Sequence, residues 1–156
     1  MSTSLIRPIK ILLVEDNLQD IEITRRAFTK ARVKNDLIVV RDGEEALDYL
    51  YHRGRFNDPT ANPRPGMILL DLNLPKISGL DVLRQLKTDP DLKTIPVIVL
   101  TVSQHEQDIA KSYDFGANSY IQKPVEFENF VKMIQAVQDY WIMIATLPSD
   151  GDRPAA

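Results

Sequence analysis

One apolar stretch of this chain runs directly into a carboxylate. In MILLDLNLP (67–75), four apolar residues lead to Asp71, and Asn73 follows two positions later. A run without polar alternation is typical of a central parallel strand that is covered on both faces. In open parallel sheets, ligands bind at the carboxyl ends of the strands. Asp71 is therefore either the chemical centre of the protein or a helix cap, and this stretch alone leaves both readings open.

Polar groups also follow three other predicted strands. The strand over 9–15 ends in Glu15 with Asp16 next to it, the strand over 97–100 leads to Thr101, and the short strand in NSYIQ (118–122) leads to Lys123. If the strand order is 2-1-3-4-5, these strands are neighbours of the one that ends at Asp71. Three carboxylates, a hydroxyl and an ammonium group would then meet in one crevice.

Strand-like and helix-like segments alternate along the chain. Five strands and five helices in alternation predict an α/β fold, a flavodoxin-like doubly wound five-stranded parallel sheet of order 2-1-3-4-5. Asn17, Asp42 and Ser78 are placed to cap the first three helices, and Gly116 to end the fourth. We expect an N-terminal extension over 1–8, one domain over 9–147 and a disordered tail over 148–156.

Composition excludes several classes of protein. The 156 residues contain no cysteine, which removes disulfides and thiolate metal sites. Net charge is −3 without a long basic block, so no nucleic-acid partner is expected. The longest apolar run is too short to span a bilayer and no signal peptide is recognisable, so we expect a cytoplasmic protein without a membrane partner. Neither a glycine-rich phosphate loop nor a G-x-S-x-G elbow occurs.

A crevice with several carboxylates calls for a cation. Two carboxylates about 4 Å apart repel by roughly 4 kcal/mol at an effective dielectric of about 20. A set of ligands that are all oxygen atoms favours a hard ion such as Mg²⁺. The predicted ligands are the carboxylates of Glu15, Asp16 and Asp71, with the backbone carbonyl of Asn73 as a further one.

The same crevice suits phosphoryl transfer. Asp71 is a competent nucleophile towards a phosphoryl group once its charge is balanced. Mg²⁺, Lys123 and the Thr101 hydroxyl would supply positioning and charge neutralisation around the equatorial oxygens.

Each of these residues alone also has an ordinary structural explanation. Asp16 with Asn17 could only cap a helix, Thr101 could be an N-cap, and an isolated Lys123 would usually be solvated. Their coincidence at the ends of neighbouring strands favours the phosphoryl-transfer reading over the separate structural ones.

The motifs resemble those of the receiver domains of two-component response regulators. The resemblance covers about 9–145 and is carried by LLVEDN, LLDLNLPKISG, VIVLT and GANSYIQKP. It implies that Asp71 is the phosphoacceptor, charged by a sensor histidine kinase, and that Glu15, Asp16 and Asn73 match the Mg²⁺ site. Thr101 and Lys123 match the residues that hold the phosphoryl group.

The resemblance implies further features. Tyr120 matches the aromatic switch that turns inward as the threonine moves, and the bond before Pro124 is typically cis in the family. Val102 departs from the pattern, since many receivers carry a smaller residue there, and a branched side chain would slow water and small phosphodonors. Such a protein is a signalling switch with at most slow autodephosphorylation rather than a turnover enzyme. The proline-containing loop and long last helix are similar to stand-alone receivers paired with phytochrome-type histidine kinases.

Two other classes fit less well. An aspartyl-nucleophile phosphatase requires a second Asp two residues after the nucleophile as its acid/base, and this chain has Asn73 there. A flavin-binding flavodoxin-like domain requires a phosphate-binding loop rich in hydroxyl residues and glycine after the first strand, and this chain has EDNLQD there.

The end of the last predicted helix is apolar nearly all round. Beyond the stripe that faces the core, this surface carries Tyr140, Ile142, Met143 and Leu147. Such a surface either continues the cover of the sheet edge or forms a subunit contact. We expect a two-fold homodimer through the fourth helix, the fifth strand and the last helix.

Overall fold

The computed structural model describes residues 9–102, 109, 111, 113–117, 119–124 and 126–145, the last six by their backbone only. The predicted extension over 1–8 and the predicted tail over 148–156 lie outside the described residues. Among the described helices, none combines the length and apolarity that crossing a membrane requires.

Five parallel strands form one sheet. They are β1 (Ile11–Val14), β2 (Leu37–Val40), β3 (Met67–Leu70), β4 (Val97–Thr101) and β5 (Ser119–Gln122). Their order is β2-β1-β3-β4-β5, as predicted. Every residue of β1, β3 and β4 is buried, which explains why these strands carry uninterrupted apolar runs.

Helices follow the strands along the chain. They are α1 (Leu18–Lys30), α2 (Gly43–Leu50), α3 (Gly79–Thr88) and the C-terminal helix (Phe127–Ala145), with a short 3₁₀ turn at Gly54–Phe56. The side chains of Asn17, Asp42 and Ser78 each accept a backbone hydrogen bond at a helix start, so all three predicted caps are confirmed. Of the predicted fourth helix, residues 109, 111, 113 and 114 are helical and the rest lie outside the described residues.

Alternate residues of the strands enter two separate cores. Leu12, Val14, Ile68 and Leu70 pack against α2 and α3 on one face of the sheet. The odd-numbered neighbours on β1 and β3 pack against α1 and the C-terminal helix on the other face. Two covered faces confirm the doubly wound architecture. Leu18, the first residue of α1, is 64% exposed.

The register brings the carboxyl ends of the central strands level. Val14 pairs with Leu70, and Leu70 pairs with Val99. The residue after β1 and the residue after β3 therefore emerge side by side. Thr101 pairs with Gln122 at the end of β5, which places Lys123 on the same edge of the sheet.

Candidate functional site

Three carboxylates meet where β1 and β3 end. One oxygen each from Glu15, Asp16 and Asp71 lies within 4.8 Å of the other two. Glu15 is 2% exposed and Asp71 is 7% exposed, whereas Asp16 is partly exposed. An all-oxygen donor set of this kind, open to water on one side, fits a hard divalent cation.

Lys123 supplies the positive charge of this cluster. Its side chain is only 8% exposed and forms an ion pair with Glu15. Its Nζ also lies 3.4 Å from Asp71 Oδ2 and 3.1 Å from Asp20 Oδ2. The reading of Lys123 as a solvated surface lysine therefore fails.

Burial and charge shift the ionisation of the site. Burial raises the pKa of the Glu15 carboxyl to about 7, against the hydrogen bond from Lys123 and with the help of the nearby Asp71 charge. Burial disfavours the charged form of Lys123, but its contacts with Glu15 and Asp71 outweigh burial and raise its pKa. Lys123 therefore stays cationic, while Glu15 changes charge near neutral pH when no other cation is present.

The loop after β3 holds Asp71 in place. The Asn73 backbone N–H donates to Asp71 Oδ1 over 3.2 Å, and the Gly79 N–H donates to the Leu72 carbonyl over 3.0 Å. The cap of α3 is Ser78, so the reading of Asp71 as a helix cap is wrong. In the same way Asn17, not Asp16, caps α1.

Thr101 lies on β4, the neighbour of the strand that ends at Asp71, and Tyr120 lies on β5, one strand further out. Thr101 ends β4 fully buried, and its carbonyl accepts the Lys123 backbone N–H over 2.8 Å. Tyr120 is partly buried against the core on β5, and its backbone N–H donates to the Tyr113 hydroxyl over 3.3 Å. The structure thus brings Glu15, Asp16, Asp71 and Lys123 together. Thr101 ends the adjoining strand β4, and Tyr120 lies one strand further out on β5.

Three expectations from the sequence have different outcomes. No described peptide bond is cis, so the bond between Lys123 and Pro124 is trans and the expected cis bond is wrong. The trans form is the one that proline bonds favour, by about 0.5–1 kcal/mol. The carbonyl of Asn73 as a ligand stays a prediction. Of the predicted dimer residues, Tyr140, Ile142 and Met143 are described by their backbone only and Leu147 lies outside the described residues.

Sequence reasoning missed Asp20. Its position in the first turn of α1 is an ordinary place for an acidic residue, because negative charge is favourable at a helix N-terminus. The available signal was its spacing: five residues after Glu15, it lies one helical turn beyond the strand end and on the same side as the cluster.

Val102 is 61% exposed beside the site. Together with Asp20, Ile23 and Lys123 it lines a cavity of about 260 Å³ between α1 and the C-terminal helix. An apolar side chain therefore stands at one approach to the buried ammonium group.

Comparisons with known proteins agree with this site. Residues 11–135 match the family described as response regulator receiver domain. The chain is 40% identical over 142 residues to response regulator Rcp1 of Synechocystis sp., covering 91% of this chain and 95% of that protein.

Solved structures give the same relationship. The phosphorylated cyanobacterial phytochrome response regulator RcpA is 43% identical with a TM-score of 0.82, covering 92% of this chain and 100% of that one. The Mn²⁺-bound form of Rcp1 is 40% identical with a TM-score of 0.80, covering 91% and 100%. A receiver-like acidic crevice, a matching sheet order and relatives of nearly equal length lead to one assignment: this chain belongs to the response regulator receiver family and acts in phosphorelay signalling.

Proposed function

We propose that Asp71 accepts a phosphoryl group from the phosphohistidine of a sensor histidine kinase. The observation that carries this proposal is the position of Asp71 at the end of the central strand, with its side chain 9% exposed and within reach of the ammonium group of Lys123. A carboxylate held beside a fixed cation is oriented for attack, and its charge is balanced when the dianionic donor approaches.

The transfer step conserves atoms and charge in a simple way. A carboxylate oxygen of Asp71 attacks phosphorus, the new P–O bond forms, and the P–N bond breaks with its electron pair moving to the imidazole nitrogen. Lys123 and the Thr101 hydroxyl hold the equatorial oxygens in this proposal, where charge develops in the transition state.

The metal of the proposed site is Mg²⁺. Glu15, Asp16, Asp71 and the backbone carbonyl of Asn73 would hold it, since three carboxylate oxygens already converge there. When bound, the ion neutralises charge between the acidic residues and the phosphoryl oxygens. A Mn²⁺-bound relative supports a divalent site of this class.

The output is a change of surface rather than catalytic turnover. Thr101 moves towards the phosphoryl group and Tyr120 turns inward, which alters the face formed by the fourth helix, the fifth strand and the C-terminal helix. Autodephosphorylation is at most slow, because exposed Val102 stands beside the approach of water.

The kinase partner in this proposal is of the phytochrome type. Support comes from RcpA, which is described as a phytochrome response regulator and is 43% identical to this chain. The test incubates the purified protein with candidate kinases and radiolabelled ATP, with and without Mg²⁺. We expect fast transfer from a phytochrome-type kinase only when Mg²⁺ is present, and equal transfer from unrelated kinases would contradict the partner assignment.

A further inference from the structure

The ammonium group of Lys123 contacts three carboxylates, but only two of them belong to the metal cluster. Glu15 and Asp71 share the cluster with Asp16. Asp20 stands outside it, with its Oδ2 3.1 Å from Lys123 Nζ. Lys123 therefore touches the cation site on one side and a separate acidic side chain on the other.

The carboxylate oxygens of Glu15 and Asp71 already have hydrogen-bond or ion-pair partners. One oxygen of Glu15 pairs with Lys123, and the other accepts the Asn17 N–H over 3.2 Å. Asp71 Oδ2 lies near Lys123, and Asp71 Oδ1 accepts the Asn73 N–H. A divalent cation bound by Glu15 or Asp71 competes with the ammonium group of Lys123 for that carboxylate.

The first turn of α1 fixes the backbone of Asp20 and leaves its carboxylate available to Lys123. Its backbone N–H donates to the Asn17 side chain over 3.0 Å, which fixes its backbone. An acidic residue three positions after the cap usually accepts the N–H of the cap residue, but here Glu15 accepts that N–H. Among the described residues, the Asp20 carboxylate forms a hydrogen bond and ion pair with Lys123 alone.

We propose that Asp20 is a positioning residue that receives the ammonium group of Lys123 when a divalent cation occupies the carboxylate cluster. This releases Glu15 and Asp71 for the cation and keeps Lys123 at the mouth of the site, where the phosphoryl group arrives. The inference rests on the proposed function, because it gives Asp20 a role in the same transfer site.

The test is a double-mutant cycle read by Mg²⁺ affinity. Calorimetric titration compares the wild type with Asp20→Asn, and the same pair in a Lys123→Gln background. Glu22→Gln is the matched control, since it removes one exposed negative charge from the same helix and Glu22 pairs with Arg26 instead. Asp20→Glu restores the carboxylate and tests rescue.

We expect Asp20→Asn to weaken Mg²⁺ binding about two- to fivefold, the range of a partly exposed ion pair, and more than Glu22→Gln does. Asp20→Glu recovers most of the affinity. In the Lys123→Gln background, Asp20→Asn has no more effect than Glu22→Gln. The ¹⁵N signal of the Lys123 ammonium group shifts on adding Mg²⁺ to the wild type, and this shift is altered in Asp20→Asn, which a merely structural role would not produce.

Equal effects of Asp20→Asn in the two backgrounds would overturn the proposal, as would a wild type that binds no Mg²⁺. Phosphate uptake by the wild type is measured in the same samples by mass spectrometry. Absence of uptake from the cognate kinase counts against Asp71 as phosphoacceptor, whereas normal uptake with an unchanged affinity cycle counts against Asp20 alone.

Discussion

The carboxyl of Glu15 changes ionisation near neutral pH. Its pKa is about 7 in the folded protein, against 4.5 for an ordinary glutamate. Between these two values the native state keeps a proton that the unfolded state releases. The contribution of Glu15 to the free energy of unfolding is therefore fully present below the unfolded pKa and is lost as pH rises through the folded pKa.

This shift predicts a pH dependence of stability. In cation-free buffer, we expect the free energy of unfolding of Glu15→Gln to fall less than that of the wild type between about pH 5 and pH 7, because the amide cannot ionise. Urea unfolding at a series of pH values measures the difference. Parallel curves for the two proteins would contradict the assignment of the raised pKa to Glu15.

Thr101 tests the coupling between the site and the output face. Thr101→Ala keeps Asp71 and Lys123, so we expect it to be phosphorylated but to lose most of the spectral change at Tyr120 that phosphorylation causes. Amide spectra with and without phosphate measure this change, and Thr29→Ala, an exposed threonine on α1, serves as the control. A full wild-type change in the phosphorylated Thr101→Ala protein would show that the coupling role is wrong.

At the scale of elements, the close contact between α3 and the end of β3 positions Asp71. A Cβ added at Gly79 would lie 2.3 Å from the Asp71 carbonyl oxygen and 2.5 Å from the Leu72 Cα. Both neighbours are backbone atoms, so the loop after β3 would have to move. The first residue of α3 is therefore glycine because the loop that carries Asp71 passes directly over it.

We expect Gly79→Ala to lower the free energy of unfolding by about 1–3 kcal/mol, the usual cost of overpacking, and to slow phosphorylation of Asp71. Gly54→Ala is the control, because its φ of +59° makes it strained but nothing lies within 4 Å of an added Cβ. Urea unfolding and phosphorylation rates decide the matter. Loss of stability with an unchanged rate in Gly79→Ala would contradict the positioning role.

The elements that the sequence predicted best are those with a strong local signal. β3 was predicted within its observed bounds because its four apolar residues are buried on both faces, and the starts of α1, α2 and α3 because their caps are local in sequence. Such features depend on neighbours along the chain, so one sequence is enough to find them.

The features that the sequence missed depend on contacts between distant segments. Asp20 and Lys123 are 103 positions apart, and their contact exists only once α1 and β5 are both in place. The close approach of Gly79 to the Asp71 carbonyl likewise exists only once α3 has packed against the end of β3. The expected cis bond at Pro124 came from family resemblance, and no local pattern in the sequence distinguishes it from the trans bond that the structure contains.

At the scale of the whole molecule, the dimer remains a prediction. The C-terminal helix continues to Ala145, and the last of its described side chains that packs against the sheet is Val137. Its last turns carry Ile142 and Met143, and leaving such side chains in water costs about 25 cal/mol per Å² of apolar surface. A symmetric contact would bury this surface in both subunits at once.

We expect replacement of Ile142 and Met143 together by glutamate to give a folded monomer, because charge is unfavourable in a buried contact. Glutamates at Gln135 and Ala136, two exposed positions of the same helix, provide a control with added acidic residues. Sedimentation equilibrium measures the assembly state. A wild-type monomer at micromolar concentration, with and without phosphate, would overturn the dimer.

The most direct test of the account is the site of phosphorylation. The wild type, Asp71→Asn and Asp81→Asn are incubated with the kinase, ATP and Mg²⁺, and peptide mass spectrometry locates the phosphoryl group. Asp81 is an exposed acidic residue on α3 and controls for loss of one carboxylate. We predict one phosphoryl group on the peptide containing Asp71 in the wild type and in Asp81→Asn, and none in Asp71→Asn. Uptake by Asp71→Asn at the wild-type rate would contradict the account.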